Sequence, residues 1–244
     1  MSASRPSQFY ELADCYDALN DWKDYSGESA RLESIARSLG LSGRASWLDV
    51  ACGTGRHLEF LRRRHPVVGV DISPKMLRIA RHRLPGVRLV RADMRTFNLK
   101  ARFDVVTCLF GAIAHLRTPE DVREAFSNLA RHMNPGGIAI VEPWLEPTIF
   151  HPGFIQLRHH QDAEIMVARC AYSSLRRGRA IVQYHFLVGR PGHGVRYLKE
   201  TDVKLLVSRE DLLKLMRKSG LRARFLRHGL TPGMGLLIGS KDRM

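Results

Sequence analysis

The sequence predicts an α/β fold in which a mostly parallel sheet is covered by helices on both faces. Three observations carry this. Short apolar runs alternate with segments of helical periodicity between about residues 45 and 142, and the glycine turn Gly53-Thr54-Gly55 joins the first run to the first helix behind it. Acidic residues Asp49, Asp71 and Asp93 stand at the ends of the first three runs. Strand, glycine turn and helix in that order open a nucleotide-binding βαβ unit, and unbroken apolar strands are those of a sheet buried on both faces. At 244 residues the chain has the length of one large domain of this kind.

The elements follow in order. Apolar residues at helical spacing from about 8 to 40, interrupted near Asn20-Asp21, predict two helices. Ala45 to Val50 is a strand, and Arg56 to Arg64 has helical periodicity. Val67 to Val70 is a second strand; Ser73 caps a helix that has Pro74 in its first turn and runs to about Leu84. Arg88 to Val90 and Phe103 to Leu109 are the third and fourth strands, and Pro119 to His132 is a helix. After the turn Asn134-Pro135-Gly136 comes a fifth strand, Gly137 to Glu142. Beyond Pro143 three strand-like runs, 164–172, 180–188 and 195–207, are separated by glycine-rich turns and predict an antiparallel excursion. A helix from Arg209 to Lys218, ended by Gly220, precedes two last strands at 222–227 and 236–239, which flank Thr231-Pro232-Gly233. The resulting division is 1–40 for the N-terminal helices, 45–142 for a ligand-binding core, 143–207 for the insertion and 208–244 for the C-terminal helix and strands, all within one domain.

Composition narrows the class. A hydrophobic fraction of 44% and a charged fraction of 26% exclude a disordered or collagen-like chain. The N-terminus has no apolar signal segment and no stretch approaches the roughly 18 apolar residues of a membrane span, so a cytoplasmic location is expected. Cys15, Cys52, Cys108 and Cys170 stand far apart without zinc-site spacing, which predicts reduced thiols and no metal. The net charge of +15 admits an anionic partner, whether nucleic acid, membrane surface or phosphorylated substrate. Against a dedicated nucleic-acid module, the basic residues are scattered and no aromatic RNA-binding motif or zinc knuckle is present; a solvated arginine-rich surface is the plainer reading.

The chemistry concentrates in Leu48-Asp49-Val50-Ala51-Cys52-Gly53-Thr54-Gly55-Arg56-His57-Leu58, where glycines let backbone approach a ligand. A dinucleotide site calls for a third glycine where this chain has Leu58. A carboxylate at Asp49 suits a positively charged aminoacyl ligand better than a phosphate. Asp71, sixteen positions after Gly55, is placed to accept both hydroxyls of a ribose. Asp93 is a candidate for an adenine amino group, with Met94 or Ile72 against the ring. Each acidic residue taken alone is equally a helix cap or a surface turn.

Asp-x-Ala-Cys-Gly-Thr-Gly (49–55), Gly-x-Asp-x-Ser-Pro-x-Met-Leu (69–77), Ala-Asp-Met-Arg (92–95) and Asn-Pro-Gly-Gly (134–137) resemble the motif series of class I S-adenosylmethionine-dependent methyltransferases over about 45–142. The resemblance implies a Rossmann-like, seven-stranded, mostly parallel sheet with an antiparallel last strand, N-terminal lid helices and an antiparallel insertion after strand 5. It also implies S-adenosylmethionine as cofactor, held by Tyr25, Asp49, Ala51, Gly53, Gly55, Asp71, Ile72, Met76, Asp93, Met94 and Leu109. Lys23-Asp24-Tyr25, Phe110 to Leu116 and Val141-Glu142-Pro143-Trp144 are further similar to N,N-dimethyltransferases of nucleotide-linked amino sugars in antibiotic pathways. That likeness implies His115 as the base and Tyr16 as an orienting phenol. It implies Glu142, Trp144 and the insertion around the acceptor and a homodimer through the insertion; if the acceptor carries phosphates, Arg158, Arg169, Arg176 and Arg177 are the candidates to bind them, Arg158 and Arg169 first. Two departures touch the acceptor side: Gly111-Ala112 stands where those enzymes usually have Ser-Ser, and Gly233-Met234-Gly235 where they have Gly-Arg-Gly. N-methylation of a small amine is therefore expected. Small-molecule O-methylation, an RNA methyltransferase suggested by the charge, a binding scaffold without turnover and a nicotinamide dehydrogenase are the alternatives.

Overall fold

The structure, a computed structural model, describes residues 13–41 and 43–243. The chain divides into two compact units, one made of the segments up to Asp24 and from Ile149 to Leu205, the other of Tyr25–Thr148 and Leu206 onward. The expected N-terminal helix pair is thereby split. Helix α1 (Ala13–Leu19) belongs to the first unit and α2 (Tyr25–Ser38) to the second. The start of the first helix expected from about residue 8 lies outside the described residues.

The larger unit holds β1 (Trp47–Val50), α3 (Arg56–Leu61), β2 (Val67–Asp71), α4 (Pro74–Arg83), β3 (Arg88–Arg91), β4 (Phe103–Cys108), α5 (Pro119–Arg131) and β5 (Met133–Val141). After the other unit's strands it ends with α6 (Arg209–Lys218), β10 (Arg222–Leu226) and β11 (Leu236–Ser240). Its seven strands lie in the order β10-β11-β5-β4-β1-β2-β3, parallel except β11, which runs against both its neighbours. The strand order reverses at β1, between β2 and β4. In open α/β sheets a ligand crevice opens outside the strand C-termini at such a point.

Trp47, Leu48 and Val50 of β1 are at most 1% exposed, and Trp47 packs in a core with Leu32, Leu61, Val105, Ile138 and Ile140. Local sequence chemistry sets several ends. Ser73 accepts the Met76 amide as α4 begins at Pro74, and Thr118 and Asp121 form a reciprocal capping box on α5. Asn134-Pro135-Gly136, expected as a turn, is instead a bulge inside β5. The register jumps from Phe103 opposite Met133 to Val105 opposite Ile138, so the ladder resumes after the irregularity and the strand begins at Met133.

The smaller unit is a four-stranded antiparallel sheet, β6 (Ile155–Gln161), β7 (Met166–Arg176), β8 (Arg179–Arg190) and β9 (Gly194–Leu205), with α1 against β6 and β7. Cys15 and Leu19 of α1 join Ile165, Val167, Phe186 and Val188 in its core. The sequence pattern misses β6, whose Ile-Gln-Leu-Arg-His-His-Gln places only Ile155 and Leu157 on one face, and that face is the exposed one. Among the described residues no helix is long and apolar enough to cross a membrane. Cys15, Cys52 and Cys108 are buried and Cys170 is exposed, none of them in a disulfide among the described residues.

Candidate active site

Asp49 in β1, Asp71 at the end of β2 and Leu109 just after β4 lie toward the C-terminal ends of three neighbouring strands. Asp71 closes β2 with its carboxylate 5% exposed; one oxygen accepts the Gly53 amide at 2.8 Å, the other the Ser73 amide at 2.7 Å. The two loops that follow β1 and β2 are thus tied by one side chain. Burial pushes the Asp71 carboxyl up, and the two amides together with the charge of His115 oppose this. Each oxygen keeps further acceptor capacity, as a ribose diol requires.

Asp49, 3% exposed, accepts the Thr107 hydroxyl of β4 at 2.7 Å. Burial pushes it up to about 6, against the pull of His57 and the Thr107 hydroxyl. Gly55 takes φ 79°, and a Cβ there would stand 2.6 Å from Leu84 Cδ1. Leu58, where a dinucleotide site has its third glycine, is fully buried among Cys52, Leu77 and Leu84. Its bulk fills the space through which helix and strand would otherwise approach.

Two strand ends are turned by residues with side chains in the left-handed region, Ala51 (φ 59°) after β1 and Phe110 (φ 55°) after β4. Such positions cost roughly 1–3 kcal/mol each and persist where surrounding bonds over-determine them. Glu142 does so after β4. Wholly buried, it accepts the Phe110 amide at 2.8 Å on Oε2 and the Thr231 amide at 2.7 Å on Oε1. Glu142, expected around the acceptor, thus accepts one backbone amide on each oxygen. Trp144, expected beside it, packs on Gly111, where a Cβ would stand 3.1 Å from Trp144 Cβ and Cδ1. With φ 69°, Gly111 is the residue this packing favours. His115 ends a short 3-10 turn, Ala112–His115, and is exposed.

Other predicted residues fall differently. Ile72 is 43% exposed beside Asp71, a free apolar face at the strand end. Met76 and Leu109 are 2% and 5% exposed and belong to the core. Asp93 is clasped by Arg95, whose Nη2 reaches Oδ2 at 2.7 Å and whose Nη1 reaches Asp121 at 2.7 Å. The Arg95 hydrogen bonds hold the Asp93 carboxyl below its usual range. Met94 is half-buried.

Sequence reasoning missed a cluster across α2 and α3. His57 Nε2 lies 2.7 Å from Glu28 Oε2, Tyr25 stands edge-on to the His57 ring at 5.0 Å, and the Arg56 guanidinium lies 5.1 Å over Tyr25. Arg56 Nε is buried without a hydrogen-bond partner. Glu28 and His57 are 29 positions apart, so no local spacing announces the pair.

Tyr16, Arg158 and Arg169 share the smaller unit. Tyr16 is half-buried on α1; the Arg158 guanidinium stacks on Trp22 at 4.4 Å; Arg169 lies 5.1 Å over Tyr184, 9% exposed, with Nε buried and unpartnered. Burial, with Arg158 nearby, disfavours the Arg169 charge. Glu200, Asp202 and Lys204 are also buried, Lys204 reaching Asp202 at 3.0 Å. Their period-two spacing in β9 was the available signal: three charged residues on one face of a strand.

The model of a methyltransferase domain matches residues 48–137. Over 94% of its length the chain is 36% identical to the dTDP-3-amino-3,4,6-trideoxy-α-D-glucopyranose N,N-dimethyltransferase of Streptomyces venezuelae, covering 98% of it. It is 35% identical to the dTDP-4-amino-2,3,4,6-tetradeoxy-D-glucose N,N-dimethyltransferase of Saccharopolyspora spinosa, covering 94% of this chain and 92% of that one. The chain belongs to the S-adenosylmethionine-dependent methyltransferases. Among solved structures, Streptomyces venezuelae DesVI superposes with a TM-score of 0.89 at 34% identity, over 95% of this chain and 98% of that one. An S-adenosylmethionine-bound amino pentose methyltransferase of Micromonospora echinaspora superposes with a TM-score of 0.83 at 33% identity, over 99% and 100%. The Rossmann-like fold, the cofactor and N-methylation of a small molecule thereby stand for this methyltransferase.

Gly111→Ser in this methyltransferase is expected to cost about 1–3 kcal/mol of stability, from left-handed strain and pressure on Trp144. Denaturant unfolding followed by tryptophan fluorescence measures it; an unchanged midpoint and spectrum would show that Trp144 does not depend on this glycine.

Proposed function

We propose that this enzyme methylates the amine of a nucleoside-diphosphate-linked amino sugar, in the cytoplasm. The observation that carries the reading is the near full-length similarity to relatives that each act on a dTDP-amino sugar, including a third from Streptomyces fradiae at 37% identity over 94% of this chain.

Bound at the strand ends, the cofactor supplies an electrophilic methyl group on a sulfonium. In our reading Asp49 holds its ammonium, Asp71 its ribose hydroxyls, and Tyr25 with the unpartnered Arg56 Nε its carboxylate. Ile72 or Met94 would pack on its adenine ring, and Asp93, held by Arg95, would accept the adenine amino group. Ala51, Gly53 and Gly55 shape the loop, and Met76 and Leu109 back it. Methyl transfer needs the acceptor nitrogen placed in line and deprotonated. His115, an exposed imidazole just past β4, takes the ammonium proton, and the Tyr16 hydroxyl orients the acceptor. Arg158 and Arg169 are the cations for the diphosphate, with the buried Arg169 Nε a donor in want of an acceptor. Trp144 walls the acceptor side, and Glu142 holds the Phe110-Gly111 turn beneath it.

We also infer a homodimer through the exposed sheet face of the smaller unit. Ile155 faces Tyr172 and Leu187 faces Tyr197 across the strands, all 42–64% exposed, and Leu157 at 66% lies beside them. Apolar residues gathered on the outward face of a sheet mark an interaction surface.

Three measurements test these readings. With a dTDP-amino sugar as acceptor, His115→Asn should lower kcat by roughly 10²–10⁴ while leaving S-adenosylhomocysteine affinity unchanged; equal turnover would remove His115 from proton transfer. Because the Asp49 carboxyl titrates near 6, cofactor affinity should fall as pH drops through about 6 and the anion that meets the ammonium is lost. Asp49→Asn should bind weakly with that step absent, and a step retained in the variant would point to another group. Sedimentation should give a two-chain mass for the native protein and one chain for Leu157→Glu/Tyr197→Glu; a monomeric native protein would end the dimer proposal.

A further inference from the structure

The cofactor loops occupy the C-terminal edge of the parallel sheet, whereas a separate cleft opens at the opposite edge, where β4 begins. Its volume is about 560 Å³, and it lies between the 96–102 loop that leads into β4 and the last turn of α5. Lys100, Arg102 and Arg131 line it and are all exposed. Among the described residues none of the three has an ion-pair partner, unlike Arg95, Arg123 and Arg209, which are matched with carboxylates.

The polar groups of the wall itself are already satisfied. Asn128 donates to the Met94 and Phe97 carbonyls at 3.2 and 3.1 Å. His132 pairs through Nδ1 with the Asn128 carbonyl at 2.8 Å and accepts the Leu99 amide on Nε2 at 3.2 Å. Its ring stacks on Phe97 at 4.3 Å, and burial, with Arg131, keeps it below its usual range. The negative end of α5 is covered too, since Lys241 Nζ donates to the Ala130 and Met133 carbonyls, both at 3.0 Å. Lys241 is itself pushed down by burial and by the charge of Arg102. The cleft therefore holds three exposed cations that neither the helix end nor any carboxylate engages. Lys100 also sits at φ 51°, where glycine or asparagine is cheaper, so backbone ease does not explain a lysine there.

We propose that this cleft binds a small oligophosphate anion, independently of the methyl-transfer site. Two guanidinium forks and an ammonium group suit adjoining phosphoryl groups, and the volume fits a diphosphate-class ligand, free or carried by a nucleotide. The rigid, hydrogen-bonded wall supplies a preformed concavity rather than further ligands.

Calorimetric titration of the full-length protein, saturated with S-adenosylhomocysteine, with inorganic pyrophosphate tests this, with ADP in a parallel arm to distinguish the free anion from a nucleotide-borne one. Saturable pyrophosphate binding should weaken at least about tenfold in Arg102→Gln/Arg131→Gln, the loss expected for charge-assisted hydrogen bonds, and persist in Arg169→Gln. Melting temperature and methyl transfer should be unchanged in the double variant, because both residues are exposed and lie outside the proposed catalytic groups. No saturable binding would overturn the proposal, as would binding abolished by Arg169→Gln but kept by the double variant. A salt-sensitive RNA complex without pyrophosphate binding, lost in the double variant, would also overturn it and make the cleft a nucleic-acid surface.

Discussion

The carboxylate of Asp71 divides its two oxygens between the backbone amides of Gly53 and Ser73, and the arrangement of the strand ends depends on that division. Each amide belongs to a loop that leaves a neighbouring parallel strand, so one side chain sets how two independent turns stand relative to each other. An amide in its place could accept on one side only and would present a donor to the other. Burial pushes the Asp71 carboxyl up, and the two donated amides offset part of that cost while leaving lone pairs for a ligand.

The same logic extends around the site. Asp49 and Glu142 are further buried carboxylates, and each is met by donors, the Thr107 hydroxyl for the first and the Phe110 and Thr231 amides for the second. Glu142 stabilises a strained turn, so the loop after β4 keeps a shape that its backbone preferences would not choose. Asp49 is met by the Thr107 hydroxyl, and burial pushes its carboxyl up to about 6. Preorganisation is concentrated where a methyl-transfer enzyme needs it, because an in-line displacement asks for placement more than for acid–base chemistry.

The smaller unit follows a different rule. Its sheet turns apolar residues outward at Ile155, Leu157 and Tyr197 while burying Arg169, Glu200, Asp202 and Lys204. That inverts the usual preference of a half-buried sheet.

The parallel core was legible in the sequence because its signals are local: apolar runs of strand length, Ser73 and Pro74 at a helix start, and glycines at turns that only glycine enters cheaply. Asp49 and Asp71 could be singled out for the same reason, since position relative to a strand end is a property of the nearby chain. Other features have no local signature. The Glu28–His57 pair, the reach of Arg95 to Asp121 and the two amides on Glu142 join residues distant in the chain, and only the folded chain decides them. The split of α1 from α2 and the unmatched cations of the 96–132 cleft are likewise tertiary facts. A charge declares its type in the sequence, but whether it is neutralised depends on which distant atoms folding brings within a few ångströms.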